Sequence, residues 1–310
     1  MTVLQLHSRR SAFVALALLA LLWGTNWIAM KLALEHAHPV VFNAQRTFLA
    51  VAVLFGALLL RGGAMAPPPW QALFVTAFFQ TTVNFGATTL ALAGGGAGRT
   101  SVLVFTMPFW TLLIAWPVLH ERVRGAQWLA IALAGLGLLL VVDPLHWAGE
   151  LAPKMWAVIS GFGWAAGTVA LKHYQRDGRT DLLGFVAWQM LVGAVPFAVL
   201  PLVQAFPDTQ WSVAQVLLLA HVGVVSTAVG FLAWIEILRW LPAGTASLNM
   251  FAVPVIALLA SMAVFGERLT GTEWAGIGCI AAGLAVLVMR ARNATTAAPD
   301  ATVPATGEGA

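Results

Sequence analysis

Apolar runs of about 20 residues recur along the whole chain, separated by short polar, glycine- or proline-bearing links. A helix crosses a ~30 Å hydrocarbon core with about 20 apolar residues. Ten segments meet that length: 11–34, 39–60, 70–93, 97–119, 126–143, 154–173, 181–203, 211–238, 243–265 and 272–290. Alternation with period two is absent, which argues against a β-barrel. The links include His36-Ala37-His38-Pro39, Arg61-Gly62-Gly63 followed by Pro67-Pro68-Pro69, and Gly94-Gly95-Gly96. None is long enough to hold a soluble domain. The first run follows Arg9-Arg10, as in a signal peptide. It continues past Asn26 and Trp27 to Lys31 without a small-x-small cleavage site, so a retained helix is expected. Residues 293–310 are Ala/Thr/Pro-rich and aperiodic, and are expected to be a disordered cytoplasmic tail. The pattern predicts an all-α membrane protein of ten transmembrane helices.

Composition supports this reading. The chain of 310 residues is 60% apolar and 9% charged, against about 45–50% and about 25% in soluble globular proteins. A net charge of +4 is too sparse to suggest a nucleic-acid partner. A single cysteine, Cys279, excludes a disulfide framework and a cysteine metal cluster. Fourteen Trp beside one Tyr fit interface belts or a stacking cavity. Placement of Lys and Arg sets orientation. With residues 1–10 as a cytoplasmic N-terminus and ten spans, eleven basic residues fall inside and three outside (Arg99, Lys154 and Arg268). Both termini are thus expected in the cytoplasm, with the chain in the inner (plasma) membrane.

The two halves, 11–143 and 154–290, are related. At an offset of 146, Ala97, Gly98, Ser101, Phe105, Pro108, Glu121-Arg122, Gly125, Trp128 and Gly137 match Ala243, Gly244, Ser247, Phe251, Pro254, Glu267-Arg268, Gly271, Trp274 and Gly283. Sixteen of 46 positions are identical between 97–142 and 243–288 without a gap. Trp23 to Lys31 aligns with Trp164 to Lys172 at offset 141. Each repeat holds five spans, an odd number, so the halves sit upside down relative to each other. Inverted repeats serve transporters, because exchanging the conformations of the halves switches the open side.

These halves resemble the EamA repeat of the drug/metabolite transporter superfamily. The likeness rests on Trp23-Gly24-Thr25-Asn26-Trp27 with Lys31, then Pro39 and Arg46, on Pro108 through Glu121-Arg122, and on Pro254 through Gly266-Glu267-Arg268-Leu269-Thr270 with Trp274-Ala275-Gly276. It covers residues 11–290, with His120 standing where the second half has Gly266. The resemblance implies ten helices, a central cavity between the halves, and export of amino acids or other small metabolites.

Charge at the bilayer centre costs roughly 2.5–3.5 kcal/mol, so polar residues in spans face a cavity, a partner or an interface. Arg46 lies about 10 Å into its span at 1.5 Å per residue. It either meets a substrate carboxylate or is structural, capping carbonyls or pairing with Glu35. Its counterpart at offset 143 is Gln189. Thr76, Gln80, Asn84 and Thr88 form a stripe at four-residue spacing, lining a cavity or bonding a neighbouring helix. At offset 146 the second half has Val222, Ser226, Gly230 and Trp234. Trp23, Asn26, Trp27 and Met30 share one face of the first helix, with Trp164 and Thr168 on the related face of the sixth. Trp188 adds a further apolar or cation–π surface. Pro108 and Pro254 interrupt equivalent helices, a pointer to a transporter binding site or to passive kinks. Glu121 and Glu267 each follow a span and are expected to fix turns by accepting backbone N–H bonds. Thr270-Gly271-Thr272-Glu273 reads as a capping box.

His221 and Glu236 are about 22 Å apart along one helix, too far for a direct relay. No cofactor and no metal site is expected: His36 and His38 lack a third ligand, and Gly94 to Gly98 lacks nucleotide-loop spacing. The expected function is a secondary transporter exporting small amphipathic zwitterions, amino acids especially, by alternating access, with a small-molecule substrate and the lipid bilayer as partners. An importer or facilitator, an intramembrane enzyme and a non-transporting scaffold are the alternatives. The enzyme lacks clustered acid, base or metal groups, and the scaffold leaves the repeat without purpose.

Overall fold

The computed structural model describes residues 6, 8–62, 65–120, 122–123, 125–142, 151–174, 181–240 and 252–296. Each of the ten segments contains helix: α1 (Arg9–Ala33), α2 (Pro39–Leu60), α3 (Trp70–Thr76, Ala77–Val83 and Asn84–Gly94), α4 (Ala97–Val104 and Met107–Leu119) and α5 (Ala126–Val142) make the first half. The second half comprises α6 (Leu151–Tyr174), α7 (Leu182–Val203), α8 (Val213–Ala220, His221–Val229 and Gly230–Trp240), α9 (Ala252–Phe265) and α10 (Gly271–Thr296). No strand occurs among the described residues. Residues 293–296, expected in a disordered tail, instead continue α10 to Thr296. Glu121, the start of the ninth predicted span (243–251) and the tail from 297 lie outside the described residues.

Local chemistry explains the ends. Ser8 caps α1 through a reciprocal pair of bonds with Ser11. Pro39 opens α2 at a position where a missing N–H costs nothing, and the His38 side chain accepts the Val40 N–H. Burial pushes the His38 imidazole below its ordinary range. α4 breaks at Phe105–Thr106, just before Pro108, as the missing proline donor requires. The Thr106 hydroxyl then donates to the Leu103 carbonyl at 2.6 Å.

Two features escaped the sequence pattern. Ala77–Val83 in α3 and His221–Val229 in α8 are π-helical, at the same repeat position. In α8 the Thr227 hydroxyl donates to the carbonyl five residues back, on Val222, at 2.7 Å. The wider π turn winds back the drift of a four-residue stripe, so Gln80 and Asn84 both bond α6. π-Turns inside α-helices occur frequently at functional sites.

Packing follows the repeat. α2 packs on α7 and α5 on α10, while α1 on α9 and α3 on α6 mirror α6 on α4 and α8 on α1. The inversion is visible in the links. The α1–α2 link meets the α7–α8 link, where the Gln210 N–H donates to the His36 carbonyl at 2.8 Å and His38 stacks on Phe206 at 4.4 Å. The equivalent Asp181 before α7 meets the α2–α3 link at the opposite end, through Arg61 at 3.7 Å. Large apolar side chains such as Leu60 and Leu202, each 82% exposed, face outward as lipid contact requires.

Candidate functional site

The predicted site residues divide into two seams related by the repeat. In the α3–α6–α7 seam every amide is engaged. The Gln80 amide donates to the Thr168 hydroxyl at 3.2 Å and accepts from Gln189 at 3.0 Å. Gln189 also donates to the Thr81 hydroxyl at 3.3 Å. Thr168 itself donates to the Trp164 carbonyl at 2.8 Å. Asn84 donates to the Ser160 hydroxyl at 2.8 Å and to the Ser160 carbonyl at 3.0 Å, and Thr88 lies 2.6 Å from the same hydroxyl. Gln80, Asn84 and Thr88 of the stripe thus bond a neighbouring helix, while the buried Thr76 hydroxyl has no partner. Small residues permit this closeness: a Cβ on Gly167 would come within 2.5 Å of the Gln80 Cβ, and one on Gly193 within 2.4 Å of the Thr81 Cβ.

The second seam joins α1, α2 and α8, and three of its buried side chains carry polar atoms without partners. The Trp23 indole donates to the Ser226 carbonyl at 3.0 Å. One turn on, Asn26 is buried with its amide oxygen unpartnered, as are the Ser226 hydroxyl and the Arg46 Nε. Arg46 does not pair with Glu35. Its guanidinium lies 3.9 Å from the centre of the Phe85 ring and approaches the Met30 sulfur at 3.0 Å. Among the described residues no carboxylate is within ion-pair range of it.

Aromatic side chains bridge the seams. Phe231 sits about midway, 6.1 Å from Trp23, 6.0 Å from Trp164 and 6.5 Å from Phe85, and Trp234 stands 6.1 Å from Trp23. Trp188 does not join this cluster. It packs edge-on against Phe55 at 5.5 Å and donates to the Met65 carbonyl in the α2–α3 link. Pro254 lies elsewhere too, lining an apolar cavity of about 330 Å³ with Val102, Phe105 and α10 residues. Pro108 starts the second part of α4. The Val104 carbonyl that its ring disfavours faces Gly161 of α6, where a Cβ would be 2.7 Å away.

At the end carrying the α3–α4 and α9–α10 links, Glu267 ties the halves together. It accepts the Gly98 and Arg99 backbone N–H groups at 3.0 and 3.1 Å, and the Ser261 hydroxyl. A carboxylate at a helix N-terminus is favoured by the dipole. Its partner is therefore the start of α4, not its own turn. Arg99 reaches Glu273 at 2.8 Å, and Glu273 closes the expected capping box with Thr270. Lys31 caps α3 through the Leu92 and Gly95 carbonyls at 2.6 and 2.9 Å.

A ten-helix inverted repeat with paired π segments and a polar–aromatic centre has one further test, comparison with known proteins. The EamA-like transporter family model matches residues 10–143 and 152–289. The chain belongs to the EamA-like transporter family. It is therefore a multi-pass inner-membrane transporter of the drug/metabolite superfamily, not an enzyme, with a small-molecule substrate and membrane lipid as partners. A probable amino-acid metabolite efflux pump of Salmonella typhimurium is 29% identical over 304 residues, covering 94% of this chain and 98% of that protein. Its namesake from Escherichia coli is 27% identical, over 92% and 97%. An uncharacterised transporter of Bacillus subtilis is 26% identical, over 81% and 87%. A solved crystal structure at 22% identity superposes with a TM-score of 0.65 over 93% of this chain and 99% of that one, and so shares the fold.

Proposed function

We propose that the protein exports small amphipathic zwitterions, amino acids especially, by alternating access, with both termini in the cytoplasm. The observation that carries this reading is the centre between the halves. Four aromatic rings, Trp23, Phe231, Trp234 and Trp164, lie beside neutral Asn26 and Ser226 and the single cation Arg46. Such a surface suits an apolar side chain beside a compact zwitterion. A phosphorylated substrate would need paired Lys or Arg, and within the spans only Arg46 is deep, with Lys31 committed to carbonyls at the end of α3. Relatives matching nearly the full length are named as probable amino-acid metabolite efflux pumps, which supports the same class and direction. Counterflow in proteoliposomes tests it, with labelled amino acids beside a labelled sugar phosphate. Amino-acid exchange is expected. Robust sugar-phosphate exchange without amino-acid exchange would overturn the substrate class.

A further inference from the structure

The repeat lets one seam serve as the reference for the other. Gln189, Gly167 and Gln80 are in mutual contact: Gln189 bonds Gln80 at 3.0 Å, and a Cβ on Gly167 would meet the Gln80 Cβ at 2.5 Å. Their counterparts, at offsets 143, 141 and 146, are Arg46, Asn26 and Ser226. The backbones agree with this correspondence. Gly223, the counterpart of Ala77, lies against α2 with its Cβ position 3.0 Å from the Arg46 carbonyl oxygen. Trp23, on the same face of α1 as Asn26, bonds the Ser226 carbonyl.

Chemically the two seams differ. Where the reference seam has a long Gln80 that saturates its partner, this seam has the short Ser226. Where the reference has a neutral Gln189, this seam has a longer cation. The result is three side chains, each at least nine-tenths buried (Asn26 9%, Arg46 3% and Ser226 3% exposed), whose polar atoms lack partners. They are a guanidinium Nε, a hydroxyl and an amide oxygen. A buried polar group without a partner is costly, and a charged one more so. Among the described residues, the polar and π partners of the guanidinium are a thioether and a ring face.

We propose that these three residues form the head-group subsite for an α-amino acid, an inference that rests on the transport reading above and names its anchor. Arg46 takes the substrate carboxylate through its Nε and Nη fork, the Ser226 hydroxyl donates to the same carboxylate, and the Asn26 amide oxygen accepts from the ammonium. The substrate side chain then lies against Trp23 and Phe231. Among the described residues the α3–α6–α7 seam, its amides bonded to one another, offers no equal subsite, so one molecule binds per chain.

Calorimetry on the purified full-length protein, with counterflow beside it, tests the anchor. The probes are leucine, phenylalanine, 4-methylpentanoate, which lacks the ammonium, and leucinamide, which lacks the carboxylate. Leucine is expected to bind at least tenfold more tightly than leucinamide. Arg46→Gln, which introduces the side chain that α7 carries at Gln189, should erase that preference without weakening leucinamide, itself a cation. Ser226→Ala, removing one hydroxyl only, should weaken leucine several-fold. Equal handling of leucine and leucinamide by the unaltered protein, or a preference that survives Arg46→Gln, would overturn the anchor and leave the transport reading standing. Failure of every carboxylate probe to bind would overturn it as well. Arg46-dependent carboxylate binding without any exchange would keep the anchor and overturn the transport reading.

Discussion

At the scale of single residues, the repeat exposes which positions carry strain. Gly266 opens the link after α9 with φ at 64°, where a residue without Cβ is at ease. The matching position in the first half is His120, held at φ 59°. A non-glycine residue in that left-handed region costs roughly 1–2 kcal/mol. His120→Gly is therefore expected to stabilise the protein by about 1 kcal/mol, read as a higher melting temperature in detergent. No rise, or a fall, would mean that the imidazole makes a compensating contact. Arg46 is strained differently: its conformation is ordinary, but its charge is buried beside Phe85 and Met30 alone. Its placement in a span was legible from sequence. Which groups surround it was not, because Phe85 comes from another helix and Glu35, the expected partner, is near in sequence only.

Helices meet closely in this molecule because the membrane supplies no hydrophobic drive between them, so small residues at the seams matter most. The π segment of α3 is wider than an α-helix, and glycines on its neighbours accept the width. Gly163 and Gly167 of α6 and Gly193 of α7 all face it. A side chain on Gly167 would strike the Gln80 backbone nitrogen, 3.0 Å from the Cβ position, which cannot swing aside. Gly278 of α10, by contrast, has nothing within 4 Å of its Cβ position and is exposed. Gly167→Leu should abolish the monodisperse folded species on size-exclusion chromatography, while Gly278→Leu should elute as the unaltered protein does. Equal behaviour of the two would show that the α3–α6 seam yields easily. The stripe from Thr76 to Thr88 was visible as an interior face in the sequence. Whether it lined a cavity or bonded a helix depended on Ser160, Thr168 and Gln189, which lie 72 to 109 residues away in the chain for the bonds they make.

For the whole molecule, inversion is the governing property. Equivalent links lie at opposite ends, and the two ends are fastened differently. One is held by Arg99, Glu267 and Glu273, with the carboxylates about 6–7% exposed; the other has Arg61 and Asp181 at 44% and 40%. Exposed pairs contribute at most about 1 kcal/mol, whereas breaking a buried one is strongly destabilising. The orientation proposed above, which rests on the excess of basic residues, eleven against three, would put the first of these ends outside the cell. Reporter fusions at Ser8 and after Thr296 are both expected to signal from the cytoplasm. A periplasmic signal from one terminus alone would break the even span count, and from both would reverse the assignment of ends.

The sequence by itself determined the membrane class, the ten helices and the kinship of the two halves. These follow from local quantities: the length of apolar runs, the parity of spans and the register of Pro, Gly-Glu and Trp at a constant offset. It also marked Arg46, Asn26 and Ser226 as polar residues in costly places. Only the tertiary structure decided which of the marked residues satisfy one another. Gln80, Gln189 and Thr168 do, and so use up their bonding capacity, while Trp188 and Pro254 lie outside the aromatic centre. The π turn of α3 belongs to the same class of facts, since its width is accommodated by glycines on α6 and α7. A hydrogen bond or a close approach depends on distance in space, and distance in space depends on every helix at once.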